Sequence, residues 1–385
     1  MRIIHTADWH LGKTLYGKNR GEEEIKALGF LKKFIEENDV EVLIIAGDIF
    51  DKFIPSSQAE EILFDFFIEL YNIGTKVVMI SGNHDSGIRF SSFAQVLKLA
   101  NIYSFGKATR NSYVEIISKE GESVIFAAVP FIREAELMNI EDYELPSYEV
   151  KSKYAEKMGA IFNFIKNNIF RENSINILTS HLLVEYAKIS GTEHKFYLAN
   201  SYAVPPLLLP DTADYIALGH IHKFQKIETH VPTYYSGSLF PLDFGEQDDK
   251  GFLFFESKPG FPLEHIEFVP IPHKELKVLN LKKEDIETFI EKYKDFDGYI
   301  KIILDTDGQN LSGTIEKIKK IVPQVLSVQI SKMEMTQKRE LSVDDILDPI
   351  KSYISYYREK KQIDPPPKVI ETFQELYKEV IEDED

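Results

Sequence analysis

Short apolar runs rich in Ile and Val punctuate the first 270 residues. They are Arg2–Thr6, Val42–Ala46, Val77–Ser81, Val124–Val129, Ile175–Ser180 and Tyr215–Leu218, and each ends near Gly, Pro, Asp or His. Such runs predict strands buried on both faces. Between several of them lie stretches with helical spacing, among them Gly21–Asn38 and Ser56–Asn72. The alternation predicts an α/β layered fold, in which ligands gather beyond the carboxyl ends of the strands. In Ser56–Asn72 the residues Ile62, Leu63, Phe64, Phe66, Phe67, Ile68, Leu70 and Tyr71 wrap most of the helix. That pattern predicts burial on more than one side, with Phe90, Phe93, Val96, Leu97 and Ala100 packing alongside.

Residues 271–330 read as a smaller α/β module: strand Leu276–Leu281, helix Glu284–Tyr293, strand Tyr299–Leu304, helix Gly313–Ile321 and strand Val325–Ile330. Residues 331–341 are polar and predict a linker. The tail, 342–385, predicts two amphipathic helices separated by Pro365, Pro366 and Pro367. Ser342 and Asp345 have capping-box spacing at the start of the first. One face carries Ile346, Leu347, Ile350, Tyr353, Ile354 and Tyr357. The other helix carries Val369, Ile370, Phe373, Leu376, Tyr377 and Val380. A pair this small makes a poor core alone, so it must dock on the body or on a partner.

Composition then narrows the class. At 385 residues the chain calls for two or three domains. It contains no cysteine, which excludes disulfides, thiolate metal sites, iron–sulfur clusters and cysteine nucleophiles, and fits a cytoplasmic protein. No apolar run is long enough to cross a bilayer, and the start MRIIHTADWH is too polar for a signal peptide. The formal net charge is −17. Nucleic acid, if it is the substrate, must therefore be gripped locally, with help from bound cations or a partner.

The chemistry lies at the strand ends. Asp8 and His10 follow the first run, and Asp48 and Asp51 the second. Asn83, His84 and Asp85 follow the third, His181 the fifth, and His220 and His222 the sixth. Five of the 10 histidines fall there. In a parallel α/β sheet these ends share one edge. Imidazoles and carboxylates together form a ligand set for Mn²⁺, Fe²⁺ or Zn²⁺, and the set exceeds what one ion needs. Two ions sharing a carboxylate would use it fully, which points to metal-assisted phosphoester hydrolysis. His5 lies inside a strand and reads as a core histidine. His230, His265 and His273 read as surface residues.

In that order, D-x-H, GD-x-x-D, GNHD, an isolated His and GH-x-H resemble the motif series of the calcineurin-like metallophosphoesterases. ADWHLG, AGDIFD, SGNHD and YSGSLFPLDFGE resemble the SbcD branch, the nuclease subunits of SbcC–SbcD complexes related to Mre-eleven. The resemblance implies a metallophosphoesterase domain over 1–270, a capping domain over 271–330 and an ATPase-binding helical segment over 342–385. It implies that Asp8, His10 and His222 bind one metal, that Asn83, His181 and His220 bind the other, and that Asp48 bridges. His84 would act on the transition state or the leaving oxygen, with Asp85 fixing that imidazole or its turn. Relatives tend to carry histidine at position 51, so Asp51 is read instead as orienting His84 or a ligand. The implied cofactor is two Mn²⁺, with Mg²⁺ or another divalent metal as substitute. The implied activities are 3′–5′ exonuclease on double-stranded DNA and endonuclease on single strands and hairpins. The implied partners are an SbcC-type SMC-like ATPase and a second copy of the chain, paired through helices after the second and third motifs. Similar ligand sets also serve phosphoprotein phosphatases and cyclic-nucleotide phosphodiesterases.

Basic and aromatic residues interleave in the loops beside these motifs, a composition suited to phosphate contact and base stacking. Lys13, Tyr16, Lys18 and Arg20 follow His10. Arg89 follows the third motif. Tyr186, Lys188, His194, Lys195 and Tyr197 follow His181.

Overall fold

Parallel pairing of the Ile/Val-rich runs builds the centre of the molecule. The computed structural model describes residues 1–138, 147–189, 203–258, 260–261, 263, 265–305 and 312–331, with scattered positions from 353 to 373. Two compact units result, Met1–Ile330 and Ser331–Asp385.

In the first unit, one sheet contains β1 (Arg2–Thr6), β2 (Val42–Ile45), β3 (Lys76–Ile80) and β4 (Ile102–Phe105), which run parallel. A second, six-stranded sheet contains β5 (Tyr113–Ile117), β6 (Ser123–Val129), β7 (Ile175–His181), β8 (Tyr215–Gly219), β9 (Gln225–Ile227) and β10 (Thr233–Tyr235), in order β5-β6-β7-β8-β10-β9. The chain then returns to the first sheet, where β11 (Gly251–Glu256) pairs antiparallel with β1, and β12 (Ile266–Pro270) pairs with β11. That sheet is thereby six-stranded as well, in order β12-β11-β1-β2-β3-β4.

Alternation along each strand decides which layer a side chain joins. Ile3, Val42, Ile44 and Val78 meet Phe126, Ile177 and Ala217 between the two sheets. Ile4, Leu43, Ile45 and Met79 face outward onto α1 (Gly21–Glu37) and α2 (Ser57–Ile73). On the other side Ile125, Leu178 and Ile216 pack on α5 (Ser147–Asn168). α3 (Gly87–Lys98) and the single turn α4 (Glu134–Leu137) complete this body. The result is helix, sheet, sheet, helix. Its motif strands come from two sheets packed face to face, which corrects the expectation of one shared sheet edge.

α2 is not enclosed all round. Ile62, Leu63, Phe66, Phe67 and Leu70 are buried, whereas Ile68 and Tyr71 are exposed, as are Ile88, Val96 and Leu99 on and beside α3. The module at 271–330 has a three-stranded sheet: β13 (Glu275–Lys282), β14 (Gly298–Asp305) and β15 (Val325–Ser331), with α6 (Ile286–Tyr293) and α7 (Ser312–Ile321). It meets the body where Leu276 and Tyr299 bury Leu15 and Phe244, and Tyr299 donates its hydroxyl proton to Glu23 at 2.7 Å.

In the second unit Tyr353 and Phe373 stack, ring centroids 4.2 Å apart. The capping-box pair and the remaining apolar positions of the tail outside 353–373 lie outside the described residues. Among the described residues no helix is long and apolar enough to cross a membrane.

Candidate metal centre

Three strands of the motif series, β1, β2 and β8, stop where the backbone turns into an unusual conformation. Asp8, His10, Asp48 and His220 have φ of 54°, 47°, 51° and 104°. Non-glycine residues rarely occupy that region, and such strain clusters where function over-determines the geometry. Backbone bonds tie the first two motifs together: Asp8 N donates to Gly47 O and His10 N to Asp48 O, both at 3.0 Å. The glycines of these motifs make room. A Cβ at Gly82 would lie 2.1 Å from Asp48 Oδ1, and one at Gly219 would lie 1.9 Å from Ala46 O.

The side chains from both sheets then converge. His181 Nδ1 donates to Ala46 O at 2.8 Å, and its Nε2 faces Asn83 Oδ1 at 3.0 Å and Asp48 Oδ2 at 3.5 Å. His220 Nδ1 meets the same Asn83 oxygen at 2.9 Å, while its backbone N–H donates to Asp8. His10 Nε2 lies 3.2 Å from His222 Nε2 and 3.6 Å from Asp48 Oδ2. Asp8, His10 and His222 thus offer ligand atoms within 4.8 Å of one another, as do Asp8, Asp48 and His181. His10, Asp48 and His84 form a third such group. All seven expected ligands and His84 occupy one place.

Orientation is supplied from outside. His222 Nδ1 donates to Glu246 at 2.9 Å, which turns Nε2 toward His10. Glu246 also accepts from Leu242 N at 3.0 Å and pairs with buried Lys250 at 2.8 Å. Burial opposes ionisation of Glu246, but the His222 and Lys250 contacts outweigh it and hold the carboxyl well below its usual range. Asp51 serves twice. Its carbonyl accepts from His84 Nδ1 at 2.8 Å, and its carboxylate pairs with Lys13 at 2.8 Å, 3.6 Å from His10 Nδ1. Asp85 accepts from Ile49 N, Phe50 N and Gly82 N, so it fixes the turns of the second and third motifs.

Sequence reasoning gave no role to Glu246, although it lies within YSGSLFPLDFGE. It also missed Phe131, just past the end of β6, whose ring stacks on His220. His5 is a core histidine, bonded to Tyr215 and Leu218 and pushed down to about 3 by burial. His230, His265 and His273 are exposed.

One of the loop cations needs correction. Arg20 is buried; it pairs with Glu23, donates to Pro241 O and lies over Phe240. It is part of the packing and is not an exposed phosphate contact. Lys13 pairs with Asp51 and Arg89 with Glu60, and both side chains are partly exposed. Tyr16, Lys18, Tyr186 and Lys188 are exposed as expected. His194, Lys195 and Tyr197 lie outside the described residues.

Residues 1–224 match the family model described as calcineurin-like phosphoesterase. The chain belongs to that family. Within it, this chain is a member of the SbcD branch. It is 30% identical over 334 residues to the SbcD component of the SbcCD nuclease from Staphylococcus epidermidis, covering 85% of each chain. It is 27% identical to the SbcD component from Bacillus subtilis, covering 88% of each. It is 26% identical to that of Escherichia coli K12, covering 80% of this chain and 78% of the relative. A solved dimetal phosphatase from Danio rerio aligns at 14% identity with a TM-score of 0.39, covering 69% of this chain and 93% of that one. That likeness carries no weight.

The donor set of this SbcD-branch chain fits divalent cations. Its imidazole nitrogens face each other and a carboxylate at near-contact distance, His10 Nε2 lying 3.2 Å from His222 Nε2 and 3.6 Å from Asp48 Oδ2. The electrostatics give a pH dependence. Burial lowers His181, but Asp48 and Asp8 outweigh it and lift the imidazole to about 9. Burial pushes Asp8 up to about 6 and His10 down to about 4. At neutral pH, metal-free His181 therefore carries a proton that a cation must displace. Manganese titration in buffers of different ionisation enthalpy should show about one proton released per chain near pH 7.5. A second should appear as the pH falls below about 6, where Asp8 protonates, and apparent affinity should weaken in step. Proton-neutral binding at both pH values would contradict this account.

Proposed function

We propose that this chain is the nuclease subunit of an SbcC–SbcD-type DNA repair complex. In this reading it hydrolyses DNA phosphodiesters with two Mn²⁺, as a 3′–5′ exonuclease on double strands and an endonuclease on single strands and hairpins. The observation that carries the reading is the convergence of seven ligand-type side chains from two sheets on one buried place. Asp8, His10 and His222 would hold one cation and Asn83, His181 and His220 the other, with Asp48 between them. When bound, the pair would supply Lewis-acid activation of a water and offset charge in the displacement. The chain's own residues do the rest. Glu246 keeps His222 in the tautomer that presents Nε2. Asp51 holds the ring of His84, which would stabilise the departing oxygen. Lys18, Tyr186 and Lys188 offer local contacts for a strand despite the net charge of −17.

A Mn²⁺ assay comparing plasmid, hairpin and phosphomonoester substrates tests this. DNA cleavage without rapid phosphomonoester turnover is expected; the opposite preference would favour a phosphatase or cyclic-nucleotide phosphodiesterase.

The same reading makes the chain a homodimer and the partner of an SbcC-type ATPase. The support is the apolar surface on α2 and α3, where Ile68, Tyr71, Val96 and Leu99 are exposed, and the two amphipathic patterns of the tail. Sedimentation velocity should give a dimer alone and a larger species once the ATPase is added. A monomer would refute the pairing, and two unmixed boundaries would refute the ATPase partnership.

A further inference from the structure

The loop after His10 closes in a tight hairpin turn. Leu15 and Lys18 exchange backbone hydrogen bonds of 3.0 and 2.9 Å, while Tyr16 and Gly17 have φ of 49° and 82°. Left-handed values at both central positions mark the mirror-image type I turn, whose first central position favours Asn, Asp or Gly. A bulky ring there is strained. It is also 46% exposed, so burial returns little for that strain. The turn itself is firmly seated, because its neighbour Leu15 is buried among Phe244, Leu276 and Tyr299. A rigid scaffold thus presents a half-exposed aromatic ring in a strained backbone position. Such a local breach of propensity points to use rather than stability.

The surroundings say what the ring meets. Tyr16 lies 5.6 Å from Phe244, two residues along the loop from Glu246, which orients His222. Lys301, on β14 of the 271–330 module, places its ammonium 5.9 Å from the centre of the same ring. Exposed Lys18 closes the turn. An exposed aromatic ring with an ammonium close to it is a combination that binds single-stranded nucleic acid: the base stacks, and the cation meets the phosphate.

We infer that Tyr16 and Lys301 together form a nucleotide platform beside the metal centre, Tyr16 stacking on a base of the substrate strand and Lys301 contacting its phosphate. The inference rests on the nuclease reading above. It assigns a substrate contact to the 271–330 module and names the residue on the body that shares it.

Steady-state kinetics with Mn²⁺ on a single-stranded oligonucleotide, and on a matched one with a short abasic tract, test the platform. Tyr16→Asn should raise KM about tenfold on the base-bearing strand, with the loss falling on KM rather than kcat. The wild-type preference for that strand over the abasic one should disappear, and Tyr16→Phe should retain it. Because Asn tolerates the left-handed position, the melting temperature of Tyr16→Asn should hold or rise. Lys301→Gln should flatten the salt dependence of KM. An unchanged KM in Tyr16→Asn, or an equal penalty on both strands with a lowered melting temperature, would overturn the platform while leaving the nuclease reading intact. Failure of the wild-type chain to cut either strand would overturn both.

Discussion

Asp48→Asn should fold normally and lose phosphodiester cleavage by at least about 10³-fold, the scale of removing a preorganised electrostatic group from an active site. Asp48 meets both halves of the centre. Its Oδ2 lies 3.5 Å from His181 Nε2 and 3.6 Å from His10 Nε2, and its Oδ1 accepts from His84 N at 2.9 Å. The neighbouring imidazoles overcome the cost of burial and keep it ionised, well below the usual carboxylate range. Asparagine is a better probe than alanine because position 48 has φ of 51°, which Asn tolerates and Ala does not. Asn also retains an oxygen for His84 N. Metal content by mass spectrometry should fall together with the rate, while the melting temperature of the metal-free chain stays near wild type. A variant with full metal content and full activity would remove Asp48 from the centre.

His84→Gln should behave differently: it should keep two cations per chain and lose about 10²- to 10⁴-fold in rate, the range for a positioned proton-transfer group. The imidazole is oriented by the Asp51 carbonyl and lies edge-on to His10, ring centroids 4.7 Å apart. Gln keeps the backbone bond to Asp48, so the turn should survive. His84 also falls within a cluster capable of holding a metal, with His10 and Asp48. The experiment therefore decides between two roles. Loss of metal in parallel with activity would make His84 a ligand.

The strands that carry the motifs were legible because Ile/Val runs end abruptly in Gly and polar residues. β1 matches its predicted span, β7 extends one residue further, and β3 is shifted by one residue. The division into two sheets was not legible. It depends on β11 returning from residue 251 to pair with β1, a long-range choice that no local pattern encodes. β9 and β10 have three residues each, too short for a periodicity to emerge. At the site, the ligand-type residues were readable because each interrupts an apolar run. Glu246 was not, since its role comes from a contact with His222, 24 residues away in the chain. The ion pairs of Lys13 and Arg89 were hidden for the same reason, because Asp51 and Glu60 are distant partners. Arg20 is different: Glu23 stands three residues on, at helical spacing, and that local signal was available.

Diffraction at the manganese absorption edge from crystals soaked in Mn²⁺ addresses the centre most directly. Two anomalous peaks flanking Asp48 are predicted, one near His10 and His222 and one near Asn83, His181 and His220. A soaked crystal with no peak there, or with those histidines directed to separate regions, would contradict the account.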